Sequence, residues 1–67
     1  MYILKVRESK RTFLSGISKD YDGTFLPDRC YSESKAYHFK SIDEIHKIFV
    51  QYKCTEYLQY YEPIEIK

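Results

Sequence analysis

Ser41-Ile42-Asp43-Glu44-Ile45-His46-Lys47-Ile48-Phe49-Val50-Gln51-Tyr52-Lys53 is the stretch whose reading decides the fold. Ile45, Ile48, Phe49 and Tyr52 recur at the spacing of one helical face, with Ile42 one turn earlier, so the segment reads as an amphipathic helix whose apolar stripe must be covered. Ser41 is placed to cap the amide three residues on, and Glu44 to reach back to the amide of Ser41. Asp43 and Glu44 put negative charge in the first turn, where the helix dipole favours it. The helix is expected to fray near Cys54 and Thr55.

Upstream, Ala36-Tyr37-His38-Phe39 reads as an extended lead-in, with Phe39 two residues ahead of the cap and able to pack near the helix start. At the N-terminus, Tyr2, Leu4 and Val6 alternate with Ile3, Lys5 and Arg7, the period of a strand with one buried face. Polar Glu8-Ser9-Lys10-Arg11 reverses the chain into a second strand, Thr12 to Ser18. Gly16 inside that strand marks a bulge or a close approach to the backbone. Lys19-Asp20-Tyr21-Asp22-Gly23 reads as a hairpin turn, because Asp-Gly supplies the positive backbone angles it needs. Thr24-Phe25-Leu26 is then a short third strand stopped by Pro27, and Asp28 to Lys35 reads as irregular, with Arg29-Cys30-Tyr31 as an edge continuation. After the helix, Tyr60, Glu62, Ile64 and Ile66 alternate with Tyr61, Pro63 and Glu65 as a last strand.

The expected architecture is α+β: a small antiparallel sheet of three to four strands with one helix packed on one face, in the order β-β-(β)-α-β. One sheet face is expected to bury Leu4, Val6, Leu14 and Ile64 against Ile45, Ile48, Phe49 and Tyr52. The other face lacks a second layer, and is expected to meet water or a partner.

Residues 1–67 are enough for one domain only, and one of marginal stability. Apolar residues make up 43% and charged residues 31%, which suffices for a core and argues against disorder. Eleven basic and ten acidic residues leave a net charge of +1, too little to attract phosphate at long range. No apolar run approaches the roughly 20 residues of a membrane helix, so no bilayer span is expected. The alternating N-terminus does not resemble a secretion signal, and a cytoplasmic location is expected. Cys30 and Cys54 are then expected as reduced thiols.

No residue set forms a recognisable active site, and a non-enzymatic chain is expected. Asp20-Tyr21-Asp22-Gly23 resembles the middle of a calcium loop, but Arg29 would stand where such a loop ends on glutamate. Cys30, His38, His46 and Cys54 are a chemically competent zinc set, yet they lack the closely spaced ligand pairs of structural sites, so neither metal nor cofactor is expected. Nucleophilic catalysis by Cys30 with His38 needs a third, orienting group beside them; their spacing allows this, but most lone cysteines take no such part. Glycine-rich phosphate loops and metalloprotease motifs are not present.

Tyrosine is the feature that departs most from an ordinary small domain, with eight in the chain and no tryptophan. Its ring supplies contact area at small entropic cost and its hydroxyl gives orientation, which enriches it at interfaces. Tyr2 and Tyr52 are accounted for as core. Tyr31, Tyr37, Tyr57, Tyr60 and Tyr61 are the candidate protein-binding residues, and at least one of the C-terminal three must be exposed, because neighbours on a strand point to opposite faces. Lys5, Arg7, Lys10 and Arg11 near aromatics suggest, as the alternative, a weak module for single-stranded nucleic acid; Glu56, Glu62 and Glu65 oppose it.

The strand hairpin, the Tyr21-Asp22-Gly23 turn, the lead-in Ala36-Tyr37-His38-Phe39, the Ser41-Ile42-Asp43-Glu44 helix start and the Ile64-Glu65-Ile66 ending together resemble small uncharacterised accessory proteins of bacteriophages and prophages. The resemblance is one of pattern and covers nearly the whole chain. It implies a stoichiometric inhibitor or modulator of a larger host protein or of a host defence system such as a CRISPR nuclease, acting in the host cytoplasm. It assigns no catalytic residue. A homodimer through an open strand edge is a further expectation.

Overall fold

The computed structural model describes residues 1–66. Strands β1 (Tyr2–Val6), β2 (Phe13–Lys19), β3 (Phe25–Cys30) and β4 (Tyr61–Glu65) form one antiparallel sheet in the order β3-β2-β1-β4, and helix α1 (Ile42–Gln51) packs on one face. This is the α+β architecture expected from the sequence.

Ser41 caps α1 as its position predicts, its hydroxyl accepting from the Glu44 amide at 3.2 Å. The Glu44 carboxylate accepts from the amide of Lys40 at 3.0 Å, one residue earlier than the expected partner Ser41. The far end does not fray. Lys53 adopts a left-handed φ of 57°, its amide donates to Val50 O at 3.1 Å, and the amide of Cys54 donates to Phe49 O at 2.8 Å. These two bonds make a Schellman stop, and Cys54 and Phe49 complete it by packing together in the core. A 3-10 turn from Thr55 to Tyr60 follows, where the sequence pattern marked no regular element.

The β2–β3 hairpin closes as expected. Asp20 Oδ1 accepts from the amides of Asp22 at 2.9 Å and Thr24 at 3.0 Å, and Gly23 takes a φ of 86°. A bulge interrupts the β2–β3 register between Leu14 and Gly16. It shifts the alternation of β2 so that Leu14 and Ile17, three residues apart, both reach the helix side. Pro27 does not end β3, which continues to Cys30. It is tolerated opposite Ile17 because β3 is an edge strand.

The helix-side core consists of Leu4, Leu14, Phe39, Ile45, Phe49, Cys54 and Tyr61, all buried. Ile64 was expected there, but it stands opposite Ile3 on the far face. The 3-10 turn sets this phase by delivering Tyr61, not Tyr60, as the first residue of β4. The far face is likewise not left open: Ile3, Phe13 and Ala36 are buried there, with Cys30, Ile64 and Ile66 packed around them. Ala36 closes this small second core from a 3-10 turn at Glu33–Lys35 that the sequence left irregular.

Phe39 enters a fork in the sheet. β1 and β2 pair only at Lys5 and Phe13, and below that point the segment from Tyr37 to Phe39 lies between them. Tyr37 donates to Leu14 O at 2.9 Å, and Phe39 exchanges two 2.8 Å backbone bonds with Tyr2.

Candidate functional site

The tyrosines expected at a contact surface divide into three environments. Tyr61 is only 2% exposed, with its ring edge-on to Phe49 at 6.5 Å, and among the described residues its hydroxyl finds no protein partner. It is a core residue, and its place in the binding set is corrected. Tyr31 (78% exposed) follows β3, and Tyr60 (52%) precedes β4. Because Cys30 lies opposite Phe13 and Tyr61 opposite Val6, these two residues flank the β1–β2 loop at one end of the sheet. Tyr37 (42%) packs against Phe39 with the rings tilted by 53° and centroids 4.8 Å apart, and Tyr57 is half-buried in the 3-10 turn after α1.

Tyr37 and Tyr57 each line a cleft beside the C-terminal half of α1. The first, about 300 Å³, is walled by Leu14, Ile17, Tyr37, Phe39, Ile48 and Tyr52. The second, about 360 Å³, is lined by Phe25, Tyr52 and Tyr57 together with Thr24, Lys53 and Glu56. Tyr52 is common to both and is held against Phe25 with ring centroids 4.9 Å apart. Sequence reasoning placed Tyr52 in the core because it continues the helical stripe. Its position at the C-cap, just beyond α1, leaves it half-buried, and being last in an apolar stripe is the signal that could have marked it. Gln51 also lines both clefts and offers an amide to either.

Among the described residues, no carboxylate, amine, guanidinium, imidazole or thiol lines the first cleft. A third, smaller cleft of about 170 Å³ brings Arg7 and His46 over Leu4 and Tyr61. Cys30 belongs to the far-face cluster and Cys54 to the helix-side core, so the two thiols lie on opposite sides of the sheet. The Cys54 thiol, with one proton to donate, lies 3.2 Å from Phe25 O and 3.3 Å from Tyr52 O, and burial, with a smaller contribution from Glu56, raises its pKa.

The four cations of the alternative reading are not equivalent. Lys5 Nζ donates to Ser9 O at 2.7 Å and Val6 O at 3.0 Å and pairs with Glu62 at 2.9 Å. Arg7 donates to Gln59 O at 3.1 Å, and its guanidinium lies 4.0 Å from the same carboxylate. Lys10 and Arg11 are exposed, and among the described residues neither forms an ion pair. The chain matches no family model, no curated protein and no solved structure.

Proposed function

We propose that this chain is a small non-enzymatic module that docks on a larger protein through the aromatic surface beside the end of α1. The observation that carries the reading is the pair of aromatic-lined clefts that share Tyr52, the first, among the described residues, without a charged lining group. Such concave, aromatic surface suits the apolar side chains of a partner more than it suits catalysis, which needs converging ionisable groups. The pattern shared with small phage proteins makes a bacterial enzyme or defence nuclease the first class of partner to test.

Immobilised protein incubated with bacterial lysate should retain one protein in stoichiometric amount. Tyr37→Ala and Tyr57→Ala should reduce that recovery while leaving the melting temperature within a few degrees. Recovery that depends only on nucleic acid, or that ignores both substitutions, counts against the proposal.

One observation favours a second reading: Tyr31 and Tyr60 flank the loop that carries the unpaired cations Lys10 and Arg11. Rings and cations so placed suit a short single strand. Filter binding to single-stranded DNA at two salt concentrations decides it, since such contacts weaken steeply with salt and absence of binding at low salt removes the reading.

A further inference from the structure

The far half of β2 is a strand edge without a partner. β2 is matched by β3 from Phe13 to Lys19, yet it pairs with β1 at Phe13 alone. The hairpin shows which backbone groups are committed. The amide of Asp20 donates to Thr24 O at 2.9 Å and that of Gly23 to Asp20 O at 3.1 Å, so Asp20 and Thr24 close the turn. Antiparallel alternation then turns the backbone of Ser18 and Gly16 towards β3, and that of Ile17 and Lys19 away from it. Pro27, which has no amide hydrogen to give, stands opposite Ile17 in agreement with this. On the open side, among the described residues, no strand pairs with Ile17 or Lys19.

Both outer edges of the sheet are different. β3 carries Pro27 and β4 carries Pro63, each in mid-strand, and each proline interrupts the row of donors that an added strand needs. The segment from Ser15 to Lys19 contains no proline. It also borders the first cleft, which lies between β2 and α1. Beside Gly16 the space is open: a Cβ there would meet nothing within 4 Å.

We infer that this chain receives an extended segment of a partner protein as an added strand along Ile17 and Lys19, with one bulky apolar side chain of that segment seated between Tyr37 and Tyr52. The inference rests on the protein-binding reading above and specifies its mode. Strand addition supplies affinity through main-chain bonds, and selectivity through the alternate side chain that enters a pocket. The occupant is an acidic, proline-free segment. Lys19 is exposed at the end of the free edge, its Nζ 6.0 Å above the Phe25 ring, and among the described residues it pairs with no carboxylate. A second copy of this chain fits less well. Its outer edges are interrupted by proline.

The test is selection of binders from a displayed library of random linear peptides. Enriched sequences should lack proline and carry one aromatic or large aliphatic residue near an acid. In the complex, the amides of Ile17 and Lys19 should gain at least about tenfold protection from hydrogen exchange, while those of Gly16 and Ser18 are already protected in the free protein. Lys19→Pro should weaken the selected peptide by about tenfold, whereas Lys19→Thr, which keeps the amide, should weaken it far less. N-methylation of alternate peptide bonds should abolish binding without touching the protein, which guards against misfolding of the proline variant.

The inference is overturned if no peptide is enriched, if bound peptides protect residues near Tyr31 and Tyr60 instead, or if the protein sediments as a dimer that buries this edge. Lysate capture unaffected by Lys19→Pro would also overturn it while leaving the broader protein-binding reading intact. Failed capture beside peptide protection of Ile17 and Lys19 would have the opposite meaning.

Discussion

Glu62 accepts a hydrogen bond from Lys5 and lies within reach of Arg7, and these two cations hold its pKa below the ordinary carboxylate value, with the Lys5 bond as the largest cause. A depressed folded-state pKa contributes stability above the unfolded value and loses it as pH falls through the folded one. Thermal melts should therefore decline on the acid side of the normal carboxylate range, and Glu62→Gln should flatten that part of the profile while changing little below it. At the same scale, native protein treated with a thiol reagent should be modified first at half-buried Cys30, with Cys54 reacting only on unfolding. Mass spectrometry showing equal rates at both sites would contradict the placement of Cys54. The cluster of Lys5, Arg7 and Glu62 was not legible beforehand. The sequence separates Glu62 from the two cations by more than fifty positions, and only the β1–β4 register puts Lys5 opposite Glu62.

At the scale of elements, α1 was legible because its signals are local: a capping serine, acids in the first turn and an apolar period. Its C-terminus was not, because the left-handed stop falls on Lys53, where glycine is the usual marker. Lys53→Gly should raise stability by about 1 kcal/mol, read as a higher midpoint in urea, since glycine adopts that conformation without the Cβ penalty. The bulge at Gly16 and the Asp20–Thr24 turn could be read for the same local reason. The 3-10 turn from Thr55 to Tyr60 carries no such mark, and missing it shifted the expected phase of β4 by one residue, which turned Ile64 and Tyr61 to the wrong faces.

For the whole molecule, the chain's two prolines matter most by where the topology puts them. Pro27 and Pro63 are on opposite outer edges of the sheet, so each edge resists the strand pairing that would join copies of the chain. Pro27→Thr combined with Pro63→Thr should give concentration-dependent association in sedimentation velocity, and a doubly substituted chain that remains monomeric would show that other features guard the edges.

The sequence by itself determined the helix and its start, both hairpins and the α+β class, because caps, turn residues and hydrophobic period act over a few neighbouring residues. Tertiary structure alone decided that Ala36 closes the far face, that Tyr61 lies inside, and that β2 parts from β1 to leave an edge beside the helix. Those outcomes depend on which strands pair and where Phe39 enters between them, and contacts between distant parts of the chain leave no periodic trace along it.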